Sequence, residues 1–278
     1  MQAKGMLIDT TRCIGCRGCQ VACKQWNRLP GEKTTFFGGP GYQNPARLSP
    51  KTWSLVAYNE LPTKNGFDWV FLKRQCMHCS EPSCASACLV KALEKTPEGP
   101  VVYHEDLCMG CRYCMIACPF DVPKFEYDKA IPSIRKCSFC FDRQQQGEIP
   151  ACAKSCPTGA IHFGVRDELL DEAKTRMYVE PHRYVQHVYG EHEAGGTGML
   201  YLANVPLDQL GMPKSEELGT TPFPALTQGF LSMVPLVIIV WAGFLGGLHL
   251  LMQRREEIAA AEAAADERKT GEKEEDQS

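Results

Sequence analysis

The chain has 278 residues, a net charge of −3 and a hydrophobic fraction of 44%. This length allows one or two domains, and the nearly balanced charge does not indicate a nucleic-acid-binding protein. Sixteen cysteines are far more than a chain of this size ordinarily carries, so the cysteines are the first guide to its chemistry.

All sixteen cysteines fall into four motifs of four. In chain order the motifs are Cys13, Cys16, Cys19, Cys23; Cys76, Cys79, Cys84, Cys88; Cys108, Cys111, Cys114, Cys118; and Cys137, Cys140, Cys152, Cys156. The third motif, C-x-x-C-x-x-C-x-x-x-C-P, has the spacing of a bacterial ferredoxin cluster loop. Structural zinc sites favour two separated C-x-x-C pairs, and disulfide frameworks are typical of short secreted chains. The spacing therefore favours iron–sulfur clusters over zinc or disulfides.

Short apolar runs flank these motifs. Residues 6–8 precede the first motif and residues 101–103 precede the third, and each run leads through an aspartate, Asp9 or Asp106, into cysteine. Residues 160–163 follow the fourth motif and predict a closing strand. The repeat of strand, cluster loop and helix predicts an α+β fold of two ferredoxin-like modules with two clusters each.

In two-cluster ferredoxins the fourth cysteine of a motif ligates the other cluster. The second and third motifs are close in sequence and are predicted to pair, with the first and fourth paired around them in a nested arrangement. The predicted ligands are set 1 (Cys13, Cys16, Cys19, Cys156), set 2 (Cys23, Cys137, Cys140, Cys152), set 3 (Cys76, Cys79, Cys84, Cys118) and set 4 (Cys88, Cys108, Cys111, Cys114). Sequential pairing of the first two motifs is an alternative that requires the intervening chain to fold back.

The predicted iron–sulfur region spans residues 1–224. It consists of an outer module, 1–30 with 131–180, an inserted module, 70–130, and two partner-contact segments, 31–69 and 181–224. The Gly-, Pro- and aromatic-rich stretch 26–71 is predicted to be a long surface loop. Residues 166–176 predict an amphipathic helix with Leu169, Leu170 and Ala173 on its apolar face.

Other polar residues near the motifs are weaker candidates. His182, His187 and His192 fit no simple helical ligand pair, so we expect them to be structural and not metal ligands. Cations beside clusters raise their reduction potentials, but we expect most of the neighbouring cations to be simply solvated. These cations are Arg12, Arg17, Lys24, Lys73, Arg74, Arg112, Arg135 and Lys136.

Residues 225–252 contain no Asp, Glu, Lys or Arg. About 20 apolar residues span a bilayer, so this segment predicts a transmembrane helix; a buried soluble helix is seldom apolar on all faces for so long. Gly243 and Gly247 would let another helix approach closely. We expect His249, near the helix end, to be interfacial or packed, not a haem ligand.

The charges beside this helix predict its orientation. Arg254 and Arg255 follow it directly, so the positive-inside rule places the polar tail, 253–278, in the cytoplasm and the cluster region on the periplasmic side of the inner membrane. We expect the tail to continue the helix briefly and then to be disordered. Residues 1–10 lack an apolar signal core, so a partner with a twin-arginine signal is expected to export the folded chain.

The motif order resembles that of the four-cluster iron–sulfur β subunits of the molybdopterin oxidoreductase superfamily. Residues 13–23, 76–79, 118–123 and 156–164 look like the β subunit of membrane-bound respiratory formate dehydrogenase. Residues 189–197 and the single C-terminal membrane helix extend the resemblance over nearly the whole chain. Leu89, where the family often has Pro, and residues 24–26 depart from the pattern without touching a ligand.

The layout is also similar to the iron–sulfur subunit of membrane-bound nickel–iron hydrogenase. Residues 110–115 and 166–176 look closer to that subunit. That hydrogenase subunit usually carries its own export signal, whereas residues 1–10 here lack an apolar signal core. The resemblance therefore favours formate dehydrogenase.

The resemblance implies four 4Fe–4S clusters and a molybdenum or tungsten pterin α subunit that oxidises formate outside the membrane. It further implies a cytochrome b γ subunit that passes electrons to quinone, and it supports the nested pairing. No catalytic residue is predicted, because the sequence contains no phosphate loop, dinucleotide fingerprint or acid–base constellation. The same module serving a hydrogenase or another molybdopterin enzyme is one alternative, and a membrane-tethered free polyferredoxin is the alternative from another class.

Overall fold

The structure is a computed structural model of the chain. It describes residues 2–34, 42–63 and 66–275, with side chains to residue 264. The chain divides into two units, Met1–Ala225 and Leu226–Ser278. Residues 35–41 of the predicted surface loop, 26–71, lie outside the described residues.

Short strands and helices make up the first unit. The strands are β1 (Lys4–Asp9), β2 (Leu55–Thr63), β3 (Gly66–Arg74), β4 (Leu93–Lys95), β5 (Val101–Tyr103), β6 (Lys124–Phe125), β7 (Ile134–Arg135), β8 (Ile161–Val165) and β9 (Met199–Leu202). The helices are α1 (Gly18–Trp26), α2 (Ser83–Ser86), α3 (Tyr113–Ile116), α4 (Phe141–Gln145), α5 (Ala151–Lys154), α6 (Arg166–Val179) and α7 (Ser215–Leu218). The mixed α/β architecture agrees with the predicted fold class.

The central sheet has the strand order β8-β1-β9. Strand β1 pairs antiparallel with β8, with Leu7 opposite His162, and parallel with β9, with Leu7 opposite Leu200. Met6 and Ile8 face the main core, whereas Leu7 faces a second core beneath α6. A strand buried on both faces requires a continuous apolar run, which is why residues 6–8 show no polar alternation.

Helix α6 covers the second core. Leu169, Ala173 and Met177 on this helix pack with Leu7 and Leu200 of the sheet. The predicted helix at 166–176 is confirmed, and it extends three residues further, to Val179.

The predicted surface loop 26–71 is wrong over its C-terminal part. Strands β2 and β3 form an antiparallel hairpin there, with Leu55 opposite Arg74. Val70 and Leu72 are buried in the core, whereas Trp69 on the opposite face stacks on Phe71 with 6.2 Å between ring centroids. Aromatic and β-branched residues with alternating burial are typical of strands, a signal that the Gly and Pro content upstream obscures.

The second unit is helical. Helix α8 runs from Phe223 to Glu275. It overlaps the one candidate membrane span of the described residues, Ser215–Ala264, in which an 18-residue window has a mean hydropathy of 2.2. The predicted apolar helix at 225–252 therefore has the length and composition of a single-pass anchor. The expected disorder of the tail is wrong up to Glu275, because its Ala, Glu, Lys and Arg residues are strong helix formers.

Candidate metal centres

The four cysteine motifs share one local turn. In each C-x-x-C pair the residue before the second cysteine has a positive φ: +67° at Gly15, +47° at His78, +74° at Gly110 and +60° at Phe139. Glycine adopts this conformation freely, whereas other residues pay about 1 kcal/mol or more. Backbone N–H groups around such turns converge and favour an anionic guest. Four loops thus have one geometry, although two of them lack the glycine.

The thiols of set 1 converge on one cavity. Cys13, Cys16, Cys19 and Cys156 line it together with Lys73. Burial raises the pKa of the Cys13 thiol, and negative charge on Cys156 and Cys16 raises it further, as expected for like charges at short range. Cys16 is exposed, so set 1 opens toward the surface of the iron–sulfur region.

The thiols of set 2 line a second cavity, together with Gln75. All four of these cysteines are buried. Burial raises the pKa of the Cys23 thiol to about 12, and negative charge on Cys152 and Cys140 contributes to the rise. The backbone N–H of Phe139 donates a hydrogen bond to Cys137 Sγ at 3.3 Å.

The thiols of set 3 are mutual electrostatic neighbours. Burial raises the pKa of Cys79 well above its ordinary value, and Cys76, Cys118 and Cys84 raise it further. Cys76 and Cys84 are themselves buried. Cys88, the fourth cysteine of the second motif, acts instead on Cys114 of the third motif.

The thiols of set 4 form a similar group. Burial raises the pKa of Cys114 to about 11, and negative charge on Cys108, Cys111 and Cys88 raises it further. The backbone N–H of Ala92 donates to Cys88 Sγ at 3.2 Å. Cys111 is exposed.

Each set acts electrostatically on the next, in the order 1, 2, 3, 4. Cys19 of set 1 contributes to the raised pKa of buried Cys23 in set 2. Cys76 of set 3 likewise raises the pKa of buried Cys137 in set 2. Cys114 of set 4 raises the pKa of buried Cys84 in set 3. These electrostatic effects link set 1 to 2, 2 to 3 and 3 to 4. The exposed thiols belong to the two end sets.

The chemistry of these groups fits iron–sulfur ligation. All sixteen cysteines lie in the described part of the chain, and each is a free thiol. No three His, Cys, Asp or Glu side chains of the described residues are close enough to hold one metal ion. The thiols instead surround cavities, and soft thiolate donors in groups of four suit an iron–sulfur cube.

Buried cations lie among the sets. Lys73 and Lys136 are 2% and 5% exposed, and Lys95 is partly buried. Within residues 2–34, 42–63 and 66–264, the lysines that form ion pairs with carboxylates are Lys24, Lys51, Lys124, Lys129 and Lys174. Lys73, Lys95 and Lys136 instead donate to neutral oxygens, namely Gln75 Oε1 and the carbonyls of Gly99 and Val101. Buried ammonium groups need anionic compensation, which ionised thiolates around a cluster would supply.

The buried imidazole of His78 has a donor atom, Nε2, without an acceptor among the described residues. The backbone N–H of Val101 donates to His78 Nδ1 at 2.9 Å, so the ring proton resides on Nε2. Burial, followed by the charges of Lys136 and Lys95, lowers the pKa of His78, and the ring is neutral. Nε2 is buried without a partner among the described residues. A buried donor requires an acceptor, and a sulfide of a cluster bound by the neighbouring motif could serve as one.

The sequence did not single out all of these groups. Most cations near the cysteines were expected to be solvated, and Lys73 and Lys136 are the buried exceptions; Lys95 and His78 were not considered. The one available signal was the position of Lys73 at the end of an apolar strand. Among the histidines, His187 Nε2 lies 2.6 Å from Glu193 Oε1, which gives it a structural contact.

Comparison with known proteins gives the family. Residues 67–166 match the 4Fe–4S dicluster domain. A protein of Nitratidesulfovibrio vulgaris is 47% identical over 263 residues, 94% of this chain and 70% of that protein. The formate dehydrogenase, nitrate-inducible, iron–sulfur subunit of Escherichia coli K12 is 38% identical over 221 residues, 77% of this chain and 74% of the subunit.

The chain belongs to the iron–sulfur subunit family of the formate dehydrogenases. The predicted class, an iron–sulfur subunit with 4Fe–4S chemistry, is thereby confirmed. The Hydrogenase-2 operon protein HybA of Escherichia coli O157:H7 is 37% identical over 290 residues, 90% of this chain and 84% of HybA. Family membership therefore indicates an electron-transfer subunit of an enzyme complex. It does not identify the enzyme that donates the electrons, because relatives include both formate dehydrogenase subunits and a hydrogenase operon protein.

Proposed function

We propose that the chain is the non-catalytic subunit that carries electrons through four 4Fe–4S clusters, from a molybdopterin α subunit oxidising formate to a membrane cytochrome b and quinone. The observation that carries this proposal is the fourfold repeat of one cluster-loop turn. Clusters fully ligated by cysteine supply one-electron transfer and have no open position for substrate.

Sets 1 to 4 are the proposed ligands of the four clusters. Two cavities, each lined by the four thiols of a single set, support this assignment for sets 1 and 2. The mutual effects on thiol pKa values support it for sets 3 and 4. Burial of set 2, and of Cys76 and Cys84 in set 3, excludes water. The surrounding N–H groups and lysines supply positive potential to anionic ligands.

The nested modules are supported by long-range contacts. Strand β1, at the start of the chain, pairs with β8 after the fourth motif, and this pairing draws the ends of the outer module together. Strands β4 and β5 pair locally between the second and third motifs. Both contacts favour nested pairing over the sequential alternative.

The succession of neighbouring sets suggests a route through the subunit. Electrons entering at one end set would leave at the other, and both ends present an exposed thiol, Cys16 or Cys111. Exposed apolar residues lie beside these thiols, including Ile14, Met109 and Ile116. Apolar surface beside an exposed ligand fits contact with partner subunits.

We further propose inner-membrane anchoring by α8, with residues 1–224 on the periplasmic side. Arg254 and Arg255 directly after the apolar span support a cytoplasmic C-terminus. A catalytic partner bearing a twin-arginine signal would take the folded chain across.

A hydrogenase complex is the second candidate. The specific observation that favours it is the alignment with HybA, which covers 90% of this chain, against 77% for the formate dehydrogenase subunit. The ligand sets and the electron-transfer role are unchanged in this alternative, and only the electron donor differs.

The test is an anaerobic pull-down of the chain, tagged at its C-terminus, from detergent-solubilised membranes. We expect a large co-purifying subunit and dye reduction by formate. Dye reduction by hydrogen instead would move the chain to the hydrogenase alternative. A brown eluate with neither activity nor a large partner would contradict the subunit role and favour a free polyferredoxin.

A further inference from the structure

The side chain of Lys73 connects sets 1 and 2. It lines the cavity of set 1, and its ammonium donates a hydrogen bond to Gln75 Oε1. Gln75 in turn lines the cavity of set 2. Only 2% of Lys73 is exposed, so a single buried positive charge is shared between two groups of four thiols.

The charge acts on thiols of both sets. Thiols of both sets lie within electrostatic range of the Lys73 ammonium, namely Cys19 in set 1 and Cys23 and Cys137 in set 2. Lysine is ordinarily a cation at neutral pH, and in buried surroundings its charge interacts with other charges over several ångströms.

No carboxylate of the described residues forms an ion pair with this lysine, whereas the half-buried Lys51 pairs with Asp128 at 2.7 Å. The hydrogen bond to Gln75 satisfies one donor of Lys73 without compensating its charge. The negative charge that balances Lys73 must come from the two sets of thiolates on either side of it.

This inference rests on the ligand sets of the proposed function. We propose that Lys73 is a shared counter-ion of the clusters in sets 1 and 2 and raises the reduction potentials of both. Reduction adds a negative charge to a cluster, and a buried cation stabilises that charge. Lys73 is a positioning residue for charge, since it is not a ligand.

The test is a potentiometric titration of the purified complex followed by EPR. Lys73→Met removes the charge at similar length, and Gln75→Glu neutralises it with no change of shape. We expect each variant to lower the same two midpoint potentials. Lys73→Arg keeps the charge and should keep both potentials near their native values. The matched control is Lys154→Met, an exposed lysine two residues from Cys152, which should shift none.

The signals identify the sets. The two shifted signals should be those altered by Cys13→Ala, in set 1, and by Cys140→Ala, in set 2. A purely structural role for Lys73 would change iron content or yield and leave these potentials unmoved.

The outcomes separate this inference from the proposed function. Intact signals with unchanged potentials in Lys73→Met and Gln75→Glu would overturn the inference and leave the electron-transfer role in place. If Lys73→Met does not retain clusters, unchanged potentials in Gln75→Glu overturn the inference and lowered ones support it. A native complex without 4Fe–4S signals would overturn the proposed function itself.

Discussion

Glu193 is a buried carboxylate, 2% exposed, that holds three segments together. Its oxygens accept hydrogen bonds from the Gly190 N–H at 2.7 Å and from Ser215 Oγ at 2.7 Å. Burial by itself would raise the pKa of Glu193, but the hydrogen bonds from Ser215 and Gly190 outweigh it, and the pKa is lowered. A carboxylate of this kind stabilises the fold above its ordinary pKa, and the stabilisation is lost as the pH falls through the lowered value.

We predict that Glu193→Gln lowers the free energy of unfolding by about 1.5 kcal/mol at pH 7, because hydrogen bonds to a charged acceptor are lost. The difference from the native chain should shrink as the pH falls below about 4.3, the ordinary glutamate pKa. Denaturant unfolding of both chains at pH 7 and at pH 4 measures this. Glu216→Gln, at an exposed position on α7, is the control without effect, and a deficit independent of pH would contradict the charge-based explanation.

At the scale of single elements, the cluster loops were predictable because each ligand spacing is encoded locally. Strand β1 was predictable from residues 6–8 because it is buried on both faces. The β2–β3 hairpin was not predicted from the sequence. This hairpin and the residue after it place Lys73 and Gln75 between the ligand sets, and no local sequence pattern predicts that placement. The burial of Lys73 depends on residues distant in sequence, such as Tyr201, whose hydroxyl donates to the Lys73 carbonyl at 2.9 Å.

Cross-ligation is the prediction that belongs to the loops. We expect the double variant Cys13→Ala/Cys156→Ala to alter one cluster signal, because both thiols belong to set 1. We expect Cys13→Ala/Cys23→Ala to alter two, although those residues share a motif. EPR during stepwise reduction counts the altered signals. One altered signal in the second variant and two in the first would show that each motif holds its own cluster.

At the scale of the whole molecule, the apolar span of α8 and the arginines after it are the features from which we predict the orientation in the membrane. We predict that protease added to inverted inner-membrane vesicles removes a C-terminal tag and leaves residues 1–224 protected. Right-side-out spheroplasts should give the opposite pattern and serve as the control. Digestion of the iron–sulfur region in inverted vesicles would contradict the predicted orientation.

The lysines among the ligand sets bear on how the protein is made. The buried Lys73 and Lys136 and the partly buried Lys95 have no carboxylate ion pair within the described part of the chain, so burying their charges is unfavourable until thiolates ionise around iron. We therefore expect closing of the fold and insertion of the clusters to occur together. A chain starved of iron should remain open and be degraded, and the supply of clusters, more than the rate of translation, then limits how many finished copies a cell accumulates.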